Sequence, residues 1–216
     1  ADDNTFRNLI YNFGTCPNHN DLIVRLLIQL RHMGLFKKND ILEYRLVSLL
    51  SRTEDFPERV YQFLVEWDPT ALLQTNHLLY EGLPLHLAAE NSIQNFTAIF
   101  GYGIRYYPFQ KGLRLLFQKD NDGLTPFQYV CREYGKDKMM EIVEEILTRY
   151  HSEGTPLNID EALITAATDE NIHLDGAYFL LRRKPDVLLR LLSGPDNNDD
   201  DGDSGCGGGG GGDWRY

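Results

Sequence analysis

An all-α fold, built as a solenoid of stacked antiparallel helix pairs, is what this 216-residue sequence predicts. Three observations carry that expectation. Apolar residues recur at three- and four-residue steps through most of the chain, the spacing of one buried helix face. No stretch alternates apolar and polar residues with Val, Ile and Thr enriched, so nothing asks for a substantial sheet. Short frames also return along the chain at about 39-residue spacing, and a repeated helix pair buries its apolar side only by stacking on the next.

The elements follow in order. Leu22, Leu26, Leu27 and Leu30 mark a first helix, and Leu42, Leu46, Leu49 and Leu50 a second. Residues 1–54 match no repeat and are expected to be N-terminal helices, either a degenerate repeat or a cap. Val60, Phe63, Leu64 and Trp67 come next, behind Pro57, which a first helical turn tolerates because the N–H it lacks is unpaired there anyway. Repeats are expected over 55–193. Leu83-Pro84-Leu85-His86-Leu87-Ala88-Ala89 aligns with Thr125-Pro126-Phe127-Gln128-Tyr129-Val130-Cys131, and Leu163-Ile164-Thr165-Ala166-Ala167 returns to the Leu85–Ala89 frame. Phe63-Leu64, Pro69 and Leu72-Leu73 come back as Phe179-Leu180, Pro185 and Leu188-Leu189. Met139, Ile142, Val143, Ile146 and Leu147 give one further helix, after the turn signal Asp120-Asn121-Asp122-Gly123. The double Ala at 88–89 and at 166–167 would let paired helices approach closely.

Composition breaks sharply near the end. Residues 194–216 hold nine of the nineteen glycines and six Asp against one Arg, so a disordered Asp/Gly-rich tail is expected there. The formal charge is −11 for the whole chain but −6 for residues 1–193. An acidic balance argues against a general nucleic-acid or anionic-membrane binder, because phosphate surfaces select for Lys and Arg. No apolar run approaches the roughly 18 residues needed to span a bilayer, and no secretory leader opens the sequence. Three widely spaced cysteines (Cys16, Cys131 and Cys206) suit neither a disulfide framework nor a metal site. The expected setting is intracellular, cytoplasmic or nuclear, with reduced thiols.

The Leu83–Ala89 and Asp122–Phe127 segments resemble the ankyrin-repeat family, whose signature is a turn followed by Thr-Pro-Leu-His-x-Ala at a period of about 33. Leu83 stands at the Thr position of the first match, and Gln128 at the His position of the second. The segment from Glu161 through His173-Leu174-Asp175 to Pro185 is similar to the divergent ankyrin-type repeats common in eukaryotic microalgae. The resemblance implies that Pro84 starts the first helix of a pair and that His86 braces the turn by local hydrogen bonds. It also implies non-enzymatic binding of another protein through the turn tips and the concave face of the first helices. Carried onto this chain, the turn tips are Leu79-Tyr80-Glu81 and Asp120, Asn121 and Asp122. The inner helix positions are Glu90, Asn91, Arg132 and Glu133. The period here is longer than the family's, and most of the excess falls between Gly101 and Lys119.

That excess is aromatic and locally cationic, Gly101-Tyr102-Gly103-Ile104-Arg105-Tyr106-Tyr107-Pro108-Phe109-Gln110-Lys111-Gly112-Leu113-Arg114. Two readings stay open. Either it is an extended loop that offers Arg105, Tyr106 and Tyr107 as binding anchors, or its rings pack beneath it as a satellite core. Catalytic chemistry has little support. His-x-x-x-His, Cys-x-x-Cys, Gly-x-Ser-x-Gly, phosphate-loop and dinucleotide patterns are all missing, so no catalytic residue, cofactor or metal is expected. Cys131 occupies an Ala-like helix position and reads as a small buried hydrophobe. Asn95-Phe96-Thr97 fits a glycosylation sequon, and its helical setting makes that a chance match. The expectation is therefore a monomeric scaffold with a protein partner and no membrane contact. The alternatives are a nucleic-acid-associated repeat using Arg105–Arg114 with Arg182-Arg183-Lys184, and an enzyme with an unrecognised site.

Overall fold

Ile23, Leu27 and Leu30 turn one stripe of the first helix, α1 (Asn20–His32), toward the interior. Leu22 does not join them: at 61% exposure it lies on the outer edge, so the buried stripe runs one residue later than the leucine spacing suggests. This computed structural model describes residues 20–76, 82–107 and 110–152, and Asn8 alone before them. The expected second helix is two short ones, α2 (Lys38–Glu43) and α3 (Leu46–Leu50). Arg45 breaks it, with φ 52 and ψ 42, a left-handed conformation that costs a non-glycine residue on the order of 1 kcal/mol. Its guanidinium donates to Asn76 Oδ1 at 2.9 Å, a contact 31 residues away that holds the break in place.

Next comes α4 (Glu58–Trp67), which buries Val60, Tyr61, Leu64 and Val65 and packs on α1. Asp68 ends it and starts a 3-10 turn over Pro69–Leu73, accepting from the Thr70 N–H at 3.1 Å and the Thr70 hydroxyl at 2.6 Å. The remaining helices are α5 (Pro84–Asn91), α6 (Ile93–Tyr106), α7 (Gln110–Arg114), α8 (Pro126–Tyr134) and α9 (Lys136–Ser152). Ser92 separates α5 from α6 and caps the latter, its hydroxyl accepting from the Asn95 N–H. Gly135 separates α8 from α9 at φ +86, where a side chain would be strained.

Contacts arrange these helices in two layers. α5 packs on α6 and α8 on α9, while α5 also meets α8 and α6 meets α9. Ala88 and Ala89 are fully buried and let the neighbouring helices close on α5. A continuous apolar cluster runs from Ile23 in α1 to Leu147 in α9. Tyr61 stacks on Tyr102 at 5.8 Å between ring centres, and Phe117 meets Phe127 at 5.7 Å. Each such fully buried Leu or Phe removes enough apolar surface to contribute about 1.5–3 kcal/mol.

The residues between Gly101 and Lys119 correct the extended-loop expectation. α6 continues through Gly101 and Gly103 to Tyr106, and α7 follows almost at once. Leu113, Leu115, Leu116 and Phe117 are buried, so the extra length adds to the core instead of projecting from it. The described residues contain no strand, only an isolated bridge between Asn76 and Gly82. No helix among them is long and apolar enough to cross a membrane. The repeat frames at Leu163–Ala167 and Phe179–Leu189, the turn-tip residues Leu79, Tyr80 and Glu81, the Arg182–Lys184 cluster and residues 194–216 all lie outside the described residues.

Candidate binding surface

Two equivalent braces set the orientation of α5 and α8. Leu83 N–H donates to His86 Nδ1 at 3.0 Å, and Thr125 N–H donates to Gln128 Oε1 at 3.0 Å. The second brace is reciprocal, because Gln128 N–H returns a bond to Thr125 Oγ1 at 3.2 Å. Pro84 and Pro126 occupy the first helical position in each case. Gln128 thus makes, at its own turn, the bond that His86 makes at the earlier one.

His86 is only 3% exposed. Burial lowers its pKa to about 4, with Asp120 and the backbone of Leu124 and Gln118 pulling the other way. The ring is therefore neutral at pH 7, and since Nδ1 accepts, the proton sits on Nε2. That atom is buried and meets the Gln118 and Leu124 backbone without a hydrogen bond of standard geometry. Tyr129 closes over the imidazole edge-on at 6.2 Å. Enclosed on these sides, His86 is shaped to brace α5 and the turn before α8.

That turn is held by Asp120. Its Oδ1 accepts from the Asp122 N–H at 3.0 Å and the Leu124 N–H at 2.9 Å, and its Oδ2 accepts from the Tyr129 hydroxyl at 2.8 Å. Asp120 is 9% exposed. Of the contact positions expected in this turn, Asp120 is engaged internally, whereas Asn121 and Asp122 are exposed. Glu90, Asn91, Arg132 and Glu133 are exposed as well, near the C-terminal ends of α5 and α8. Asn91 also uses its amide on the Leu87 carbonyl at 2.6 Å.

Glu90 shows which charges act on one another here. Its pKa is raised by partial burial, lowered by Arg52 and raised again by Asp120 and Asp122. The carboxylates of Glu90 and Asp122 therefore share one field although 32 residues separate them in the chain. Arg52 and Tyr129 belong to this surface without having stood out in the sequence. Arg52 precedes the 83–89 frame, and Tyr129 sits where that frame has Leu87.

Arg105, Tyr106 and Tyr107 lie elsewhere. Burial raises the Tyr106 and Tyr107 pKa values, with Glu66 of α4 acting next on Tyr106 and Asp68, behind that helix, on Tyr107. Both are half-buried against the core, and only Arg105 is exposed, its guanidinium 5.7 Å from the Tyr106 ring centre. The satellite-core reading describes the rings better than the binding-anchor reading. Asn95, the sequon residue, is buried and donates to the Thr53 carbonyl at 2.8 Å. Cys131 is half-buried, and that burial raises its thiol pKa. Among the described residues, no group of three His, Cys, Asp or Glu side chains is placed to hold a metal ion.

No family model matches this chain, and no curated protein and no solved structure matches it.

Proposed function

We propose that this chain is an ankyrin-like repeat protein that binds another protein, without catalysis, through the 120–123 turn and the exposed ends of α5 and α8. The supporting observation is that exposed Glu90 lies in the field of Arg52, Asp120 and Asp122, on a layer whose helices and turn are held by internal bonds. A rigid scaffold presenting exposed polar side chains is suited to recognition, because little ordering cost remains to oppose association. The paired braces, 42 residues apart, and the two stacked helix pairs support the repeat reading. With two acidic groups in one field, the partner's contact residues are basic or polar.

The test is affinity capture by the full chain against a Glu90→Lys, Asp122→Lys variant, with circular dichroism to establish that both fold. Loss of proteins with basic contact surfaces from the variant's captured set is the expected result. An unchanged set rejects this surface.

A further inference from the structure

Leu42, Leu46, Leu49 and Leu50 read as one helix, yet residues 38–50 are broken at Arg45. Three observations on different groups mark the break as imposed from outside the segment. The first is backbone strain. Among the described residues only Arg45 carries a side chain at positive φ, and such outliers persist where their surroundings hold them. The second is a borrowed acceptor. In a continuous helix the Leu46 N–H would donate to the Leu42 carbonyl, four residues back. That carbonyl instead accepts from the Gln74 side-chain amide at 2.9 Å and from the Arg45 N–H at 3.2 Å. The third is Ser48, whose Oγ is buried and has no hydrogen-bond partner among the described residues. Ser51 and Thr97 each donate to the carbonyl four residues back, at 2.8 and 2.7 Å. For Ser48 that carbonyl belongs to Tyr44, across the break, and a continuous helix would bring it within reach.

Two side chains of one short segment hold the break. Gln74 takes the Leu42 carbonyl, and Asn76 Oδ1 accepts from the Arg45 guanidinium at 2.9 Å. Asn76 also donates its backbone N–H to the Gly82 carbonyl at 3.0 Å, two residues before α5 begins at Pro84. Residues 74–76 are therefore a strap that ties the break between α2 and α3 to the entry of α5.

We propose that residues 38–50 are a two-state switch, bent while the 74–76 strap is seated and one continuous helix when it lifts. In the straight form Arg45 is right-handed, the Leu46 N–H regains the Leu42 carbonyl and Ser48 Oγ reaches that of Tyr44. Ile41 opposes this change, because it is fully buried in α2 and would leave its present contacts. The strap decides between these opposed terms. A partner that grips the entry of α5 and draws Asn76 off Arg45 favours the straight form by its difference in affinity for the two.

The test needs no partner, so its failure is distinct from failure of the α5–α8 surface. In the full chain, Gln74→Ala with Asn76→Ala removes both strap contacts. Nuclear magnetic resonance then reads the Arg45 φ from its HN–Hα coupling, and hydrogen exchange at the Leu46 amide. A right-handed Arg45 is expected, with Leu46 exchanging about tenfold more slowly, as one added hydrogen bond implies. Asn76→Asp keeps the acceptor and should stay bent. Adding Arg45→Gly to the strap-free variant removes the strain, since glycine meets positive φ freely, and should return Leu46 exchange toward the parent rate. Lost packing alone would not produce that reversal. Circular dichroism checks that each variant folds. The proposal falls if the strap-free variant keeps Arg45 left-handed, if its residues 38–50 exchange faster than the parent's, or if Arg45→Gly reverses nothing.

Discussion

His86 and Asp120 carry the residue scale, because each satisfies a turn that would otherwise bury unpaired backbone groups. Replacing His86 by Ala leaves the Leu83 N–H without its acceptor, which should lower stability by about 1–3 kcal/mol in urea unfolding. Gln is the informative alternative, since Gln128 makes the same bond at the later turn. The pH dependence has a definite sign. Folding depresses the His86 pKa from 6.5 to about 4, so the unfolded chain binds the extra proton between those values. Its contribution is whole above pH 6.5 and is lost as pH falls toward 4, by up to about 3 kcal/mol. Unfolding free energies measured from pH 7 to 4 should therefore fall more steeply for the parent than for His86→Gln. Parallel curves would show that His86 is not held neutral. Asp120→Ala removes the acceptor of two backbone N–H groups and of the Tyr129 hydroxyl, and should cost at least as much as His86→Ala under the same conditions.

At the scale of the element, α6 and α7 account for the length between the two similar frames at 83–89 and 125–131. Gly103 and Gly112 face a crowded crossing where α7 folds back on α6. A Cβ on Gly112 would stand 2.6 Å from the Tyr107 carbonyl oxygen and 2.9 Å from that of Gly103, both backbone atoms that cannot step aside. On Gly103 it would meet only the end of the Leu115 side chain, at 2.8 Å. Thermal unfolding should therefore separate the two substitutions. Gly112→Ala is expected to lose about 1–3 kcal/mol or more. Gly103→Ala should be milder, because Leu115 can shift and Ala recovers up to about 1 kcal/mol of helix propensity. Equal losses would mean that α7 does not pack here. Glycines inside a helical pattern look like breaks in a sequence, which is why Gly101–Arg114 reads as a loop. Arg45 poses the opposite problem, since nothing local marks it as the break between α2 and α3, and Asn76 holds it there from 31 residues away.

Across the molecule, the apolar cluster is continuous from α1 to α9, so the described helices are expected to unfold as one cooperative unit. Trp67 reports from α4, where its ring packs edge-on against Phe36 at 5.1 Å. Val130, fully buried in α8, belongs to the far helix pair. Val130→Ala should shift the Trp67 fluorescence transition, read in a Trp214→Phe background, as far as it shifts the helical circular dichroism signal. Fluorescence unmoved while the helical signal melts earlier would divide the helices into independent units. Charge acts on the same scale: Glu90 of α5 lies in the field of Asp120 and Asp122, from the turn before α8, and of Arg52.

Local physics decided what the sequence determines by itself. Apolar spacing names the helices, Pro at 84 and 126 marks where two of them start, and the matching frames at 83–89 and 125–131 announce that their turns are built alike. Each is settled by residues within four positions of one another. The tertiary structure decided which stripe of α1 is buried, that Asp120 is consumed by its turn, that Tyr106 and Tyr107 pack inward, and that Glu90 lies in the field of Asp120 and Asp122. Those outcomes depend on side chains brought together by stacking from more distant parts of the chain, and helical periodicity sets the face a residue occupies without naming the element that will cover it.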